Sequence, residues 1–307
     1  MLDMDLATGS DSLMRALTGV SPKEFRLILP DFGRELERDK EERYDKGIRD
    51  GTRQRRSGGG YKGKIRTDAQ RLFFILLYFK TYPTFEVLGF FFGMRKKNAR
   101  RNVNKLAPIL EKALGSKTLL PARDARNLSK LLKEIPELTN LLADGTERPV
   151  QRKKCYAEQK EDYSGKKKRH TKKNVLITDE DRKILYLSST KGGRNHDYAM
   201  LKEEIPPDTF PKGICVWDDL GFLGMEKGYP DVNVIMPKKK PRGGELTPEE
   251  KAWNRTVSSF RVRVEHAIGG IKRFGIVSQV FRNRSAWLCD IAMNICSGLW
   301  NLILVRA

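Results

Sequence analysis

The chain has 307 residues, 39% hydrophobic and 32% charged, which excludes a disordered or fibrous protein and leaves enough apolar material for a core. Its 60 Lys and Arg against 39 Asp and Glu give a formal net charge of +21, an excess that implies a polyanionic partner, nucleic acid before any other. A membrane surface fits less well, because the basic residues fall in blocks with Gly, Asn and Thr rather than along one face of an amphipathic helix with an aromatic insertion face.

Residues 1–48 read as an N-terminal segment of short helices, with Ser21-Pro22-Lys23-Glu24 as a start signal before Phe25, Leu27, Ile28 and Leu29. Residues 49–64, rich in Arg and Gly, read as a basic linker or as an arm that tracks a DNA backbone. From 65 to 118 the pattern is a helix-turn-helix region. Thr67 and Gln70 form a capping box, an apolar helix ends before Pro83, and a second short helix runs from Thr84 to Phe92. Gly93 makes the turn into a helix carrying Arg95, Lys96, Lys97, Arg100 and Arg101, the layout in which a second helix enters the major groove. Arg there reaches base edges and Lys favours phosphates, so these five residues are the expected DNA contacts.

A helical connector, 119–139, precedes a change to strands, and residues 140–307 read as the catalytic domain. Leu141-Leu142-Ala143 leads into Asp144 at the start of a glycine turn. Strands follow at Asn174–Thr178 and Lys183–Ser188, joined by Asp179-Glu180-Asp181, and a helix spans Asp197–Glu204. The strand Gly213–Trp217 delivers Asp218 and Asp219 at its end, and Val232–Ile235 is a further short strand. Thr247-Pro248-Glu249-Glu250 starts a helix that runs to about Phe274, one face apolar through Val257, Phe260, Val264, Ala267, Ile271 and Phe274. Arg261, Glu265 and Lys272 share a different narrow stripe, because steps of four and seven return to nearly the same direction. The last apolar stretch, Ala286–Val305, is interrupted by Asp290, Asn294, Ser297 and Asn301, so it reads as a buried core helix and not a membrane span.

Cys155, Cys215, Cys289 and Cys296 lack metal-like or CxxC spacing and read as reduced thiols. No secretory signal is evident in MLDMDLATGSDSL. The expected location is therefore cytoplasmic and nucleoid-associated, or nuclear in a eukaryotic host, with no membrane partner.

An aspartate on the first strand, another after the fourth and a glutamate on a late helix are the places where a ribonuclease-H-like fold collects metal ligands. Asp144, Asp219 and Glu265 are thus the expected catalytic and metal-binding residues, Asp219 being preferred to Asp218 by its spacing to Gly221. Oxygen donors of this kind suit Mg²⁺ or Mn²⁺, and two ions roughly 4 Å apart serve in-line phosphoryl displacement. Arg261 and Lys272 would hold the scissile strand, and the loop cations Lys238, Lys239 and Lys240 its phosphates. The block Lys166–Arg169 is expected to do the same. His196 and Asp197 either support the site or simply cap a helix.

At these residues the chain resembles the insertion-sequence transposases of the DDE superfamily, in the branch related to Harbinger elements. Asp144-Gly-Thr-Glu-Arg-Pro149 is similar to that family's first-aspartate motif, and Tyr163 to Asn174 to the lead-in of its next strand. Gly193-Arg-Asn-His-Asp197 is similar to its helix start and Asp219-Leu-Gly-Phe222 to its second-aspartate motif. The spacing of Arg261, Glu265 and Lys272 matches its third signature. Ser258 and Phe222 stand where the pattern often has tyrosine, and neither is a ligand.

The resemblance implies an α+β or α/β chain, an all-helical helix-turn-helix region followed by a ribonuclease-H-like mixed-sheet domain. It also implies double-stranded DNA as partner, at element ends and target, and a homodimer or higher homo-oligomer on that DNA. A transposase-derived DNA-binding protein without catalysis is the alternative, which the retention of all three carboxylates weighs against. A ribonuclease or junction-resolving nuclease on the same fold would have no need of the helix-turn-helix.

Overall fold

A computed structural model describes residues 4–53 and 63–305 of the chain. The basic arm expected at 49–64 lies mostly outside the described residues, but Arg53 stacks over the Tyr44 ring at 5.0 Å. The chain folds as two compact units, the first made of residues up to Leu119 with Arg273–Ile276 and Ser285–Arg306, the second of Leu120–Lys272 with Val277–Arg284.

The first unit is all helical. Helices α1 (Met4–Gly9) and α2 (Asp11–Thr18) lead to α3 (Pro22–Arg49), which opens with the expected capping box between Ser21 and Glu24. Before residue 48 short helices are found only up to Thr18; from Pro22 the chain forms one 28-residue helix. Its first half is held by a buried stripe of Phe25, Ile28, Phe32 and Leu36. Its second half has no apolar face and is supported by ion pairs one turn apart, Lys40–Glu37 at 3.0 Å and Arg43–Asp39 at 2.8 Å.

Helix α4 (Asp68–Thr81) starts at the Thr67–Gln70 capping box and is buried all round from Leu72 to Phe79, as a helix with no polar face must be. It ends at Tyr82, in the left-handed region, immediately before Pro83. α5 (Phe85–Phe91) is capped by Thr84, Gly93 turns the chain at φ 61°, and α6 (Lys96–Gly115) follows. The last helix, Ala286–Leu304, packs on α6. Asn294 donates to Glu111 and Asn301 to the Leu119 carbonyl, so the polar residues that interrupt its apolar run are hydrogen-bonded inside the unit. By its contacts this final helix groups with the helical unit.

In the second unit, α7 (Ala125–Glu134) precedes β1 (Asn140–Pro149), α8 (Tyr156–Asp162), β2 (Tyr163–Ser164), β3 (Arg169–Thr178), β4 (Ile184–Leu187), β5 (Lys191–Gly192) and α9 (Asp197–Glu204). Then come β6 (Cys215–Trp217), the short α10 (Met225–Gly228), β7 (Asn233–Ile235) and α11 (Pro248–Ile271). β1 is central, antiparallel to β3 on one side and parallel to β6 on the other. β4 adds antiparallel to β3, and β7 parallel to β6. This order and these directions make a ribonuclease-H-like mixed sheet. Of the expected connector 119–139, all but Leu119 belongs to this unit: Leu128 and Leu132 of α7 bury against Leu141, Ala143, Val175, Ile177, Met200 and Leu201. α11 covers the other face of β1.

Candidate active site

Alternation along β1 sends Ala143, Gly145 and Glu147 toward the face shared by α7 and α9, and Leu142, Asp144 and Thr146 toward α11. Asp144 is met there by Arg261, whose Nη2 lies 3.6 Å from its Oδ2, while the Gly145 amide donates to its Oδ1 at 2.7 Å. Its carboxyl is pushed up to about 6, by burial first, with Asp219 and Asp197 adding to the rise and Arg261 opposing it. The glycine turn expected after Asp144 does not exist. β1 continues through Gly145, which pairs with Val175.

Past the end of β6, Trp217 stacks on Phe260 of α11 with ring centroids 4.1 Å apart, which fixes the strand end against the helix. Asp218 and Asp219 then part company. Asp218 is fully buried, both its oxygens lack a hydrogen-bond partner, and burial holds its carboxyl well above the usual range. Asp219 is half-buried, accepts from the Gly221 amide at 2.7 Å and lines a cavity. Of the two, Asp219 is the carboxylate that a ligand can reach.

Asp197, the first residue of α9, brings a third carboxylate from the opposite face of the sheet. A Cβ at Gly221 would lie 2.8 Å from Asp219 Oδ1 and 3.0 Å from Asp197 Oδ2, so the two side chains flank that glycine no more than about 6 Å apart. Lys173 of β3 holds Asp197: its Nζ is 3.1 Å from Asp197 Oδ1 and 3.6 Å from Glu147 Oε1, and it donates to the Asn195 carbonyl at 2.8 Å. Thr171 completes the arrangement by donating to Glu147 at 2.7 Å. His196 is exposed at the N-cap of α9 and makes no side-chain capping bond.

Glu265 follows Arg261 by one turn of α11 but is exposed. Among the described residues no three His, Cys, Asp or Glu side chains gather closely enough to share a metal ion. The structure thus brings Asp144, Asp219 and Asp197 within reach of one another's charge and leaves Glu265 outside that group. Lys272, at the C-cap of α11, has its ammonium held below its ordinary value by burial and by Lys167, with Asp144 and Glu147 opposing.

Two family domains match this chain: DDE superfamily endonuclease over residues 143–301, and the helix-turn-helix of DDE superfamily endonuclease over residues 67–116. The chain belongs to the DDE superfamily endonucleases. It is 30% identical over 228 residues to the probable transposase for insertion sequence element IS702 of Microchaete diplosiphon, covering 74% of this chain and 77% of that protein. A protein of Streptomyces albus G, named as a transposase for insertion sequence element IS112, is 24% identical over 208 residues, 67% of this chain and 70% of its own length. No solved structure matches the chain.

In this DDE endonuclease the expected DNA contacts stand on two separate units. Arg95, Lys96, Lys97, Arg100 and Arg101 are all exposed at the start of α6, where Lys96 pairs with Glu86 and Arg101 donates to Asn98. Lys238, Lys239 and Lys240 are exposed on the loop after β7, which Asn254 of α11 pins by accepting from the Lys238 amide at 2.6 Å. Lys173 and Glu147 were missed by the reading of the sequence. A signal for Lys173 was present, since it shares strand parity with the core residues Val175 and Ile177, where a lysine has no place unless it is paired.

Proposed function

We propose that this chain is the transposase of a mobile DNA element, which cuts and joins DNA by metal-dependent in-line phosphoryl transfer. The observation that carries the reading is the placing of Asp144 on the central strand beside Asp219 at the end of the neighbouring parallel strand, near enough that the charge of Asp219 raises the Asp144 carboxyl. Oxygen-only donors crowded in this way, with a single close guanidinium to offset them, fit a hard divalent cation. Asp144 and Asp219 would hold Mg²⁺ or Mn²⁺, with Glu265, exposed one turn beyond Arg261 on α11, brought in as the third ligand when the metal binds; the ions would supply activation of the attacking hydroxyl and charge for the departing oxygen.

The chain's own residues supply the rest. Arg261 keeps Asp144 oriented and lends positive charge beside the scissile phosphate. Lys272 adds a second cation from the end of the same helix. Lys173 fixes Asp197, and through it the backbone of both aspartate motifs, because Asp197 abuts Gly145 and Gly221. Lys238, Lys239 and Lys240 hold the flanking phosphates, and α6 reads the element ends in the major groove. Two element ends must be joined, so a symmetric pair of protomers is the assembly that processes both.

The test is a plasmid carrying the element between its own inverted repeats, incubated with purified protein. Mg²⁺-dependent release of the element and its insertion into a target plasmid is the expected outcome. Binding of the ends without any strand cleavage would leave only a DNA-binding protein.

A further inference from the structure

The second unit has a cavity of about 1020 Å³ that opens beside the aspartates and has a wall unlike theirs. Asp219, Asp197 and Lys173 belong to it, but most of its lining comes from residues 152–170 and 193–196, of which only the Lys166–Arg169 block and His196 have been given a part so far. Two tyrosines stand in that wall, Tyr156 at 78% exposure on α8 and Tyr163 at 42% on β2. Tyr163 is braced by an edge contact with His170, ring centroids 5.7 Å apart. The same lining carries the exposed cations Arg152, Lys160, Lys166 and Arg194.

This combination narrows the occupant. The lining is mostly apolar, as in small-molecule clefts, but four exposed cations stand on it, more than the few polar groups such clefts carry. A duplex backbone would use the cations but has no use for exposed aromatic rings, because its bases are already stacked. Cations tracking phosphates together with aromatic faces are what an unpaired strand requires. We propose that the cavity seats an unpaired stretch of DNA strand leading to the paired aspartates, its bases stacked on Tyr156 and Tyr163 and its phosphates held by Arg152, Lys160, Lys166 and Arg194. The inference rests on the transposase reading and deepens it, since it makes the substrate a duplex opened at the cut site.

The test is fluorescence anisotropy on metal-free, full-length protein, with a short labelled single strand of mixed sequence and the duplex made from it. Tyr156→Leu/Tyr163→Leu, shown folded by circular dichroism, should lose on the order of tenfold or more in affinity for the single strand and far less for the duplex. Tyr156→Phe/Tyr163→Phe, which keeps the rings, should restore single-strand binding. Equal losses on both DNAs, or full single-strand affinity in the folded Leu variant, would overturn the groove and leave cleavage at the aspartates untouched. A wild-type protein that retains neither DNA would instead defeat the transposase reading beneath it.

Discussion

The carboxylate of Asp197 occupies the space that a side chain at Gly145 would need: a Cβ placed there meets Asp197 Oδ1 at 2.3 Å and Oδ2 at 2.9 Å. The glycine after the first aspartate is therefore a packing residue in a continuous strand, kept bare so that α9 can deliver a carboxylate against β1. Gly145→Ala should destabilise the protein by about 1–3 kcal/mol through overpacking. It should also lower cleavage on the order of a hundredfold by displacing the neighbouring groups. Adding Asp197→Ala should recover much of the stability, giving a strongly non-additive cycle in urea denaturation. A Gly145→Ala protein as stable as the parent would mean that the contact does not constrain the strand.

Lys173 is only 10% exposed and faces two acids that are 6% and 15% exposed. Its removal strands both charges, so Lys173→Met should cost about 3–5 kcal/mol, and Glu147→Gln with Asp197→Asn should return part of that loss. Equal melting of Lys173→Met and wild type would show that the pairs contribute nothing.

In the absence of divalent ions Asp144 sets a pH dependence whose sign follows from its raised folded-state value, about 6 against 3.8. Folding favours the protonated form, so the stabilisation is complete below the unfolded value and is lost as pH rises through about 6. Above that, wild type carries a penalty of about 3 kcal/mol that Asp144→Asn lacks. The Asn variant should therefore melt higher than wild type above about pH 7, the gap closing below about pH 4. Divalent ions should raise the melting temperature of wild type more than that of the variant. Parallel melting curves for the two proteins across this range would contradict the charge crowding around Asp144.

On the helical unit, Arg100→Ala/Arg101→Ala should weaken binding to an element end more than to random duplex if these side chains read bases, as α6 in the major groove requires. Wild-type affinity should fall by about 10³–10⁵ between about 50 and 200 mM salt if some 6–10 phosphates are neutralised. A gel-shift titration unchanged by the double substitution would place recognition on another surface.

Much of this was legible because its signals are local. Ser21 with Glu24, Thr67 with Gln70 and Thr247 with Glu250 are capping boxes written within four residues, and each marks a helix start in the structure. Strand parity and the apolar face of α11 likewise follow from neighbours in sequence. What failed depended on distant partners. Gly145 was read as a turn because glycine often makes one, whereas its reason is Asp197. The length of α3 was hidden because its second half is held by ion pairs and not by an apolar stripe. Glu147 and the two cavity tyrosines have meaning only once β2, β3 and α9 are assembled, and the partners of Lys173 likewise. The last helix looked like a core element correctly, but which core it joins is set by α6.

The most direct measurement is Mg²⁺-dependent nicking of a labelled element-end duplex by Asp144→Asn, Asp219→Asn, Glu265→Gln and, for comparison, Asp218→Asn, with DNA retention measured on the same samples. Cleavage should vanish in the first three while DNA binding persists, because metal ligands act as a unit. Asp218→Asn, altering a fully buried carboxyl that no ligand reaches and whose charging burial disfavours, should still cut. Near-normal nicking by Asp144→Asn, or a dead Asp218→Asn beside an active Asp219→Asn, would contradict the site described.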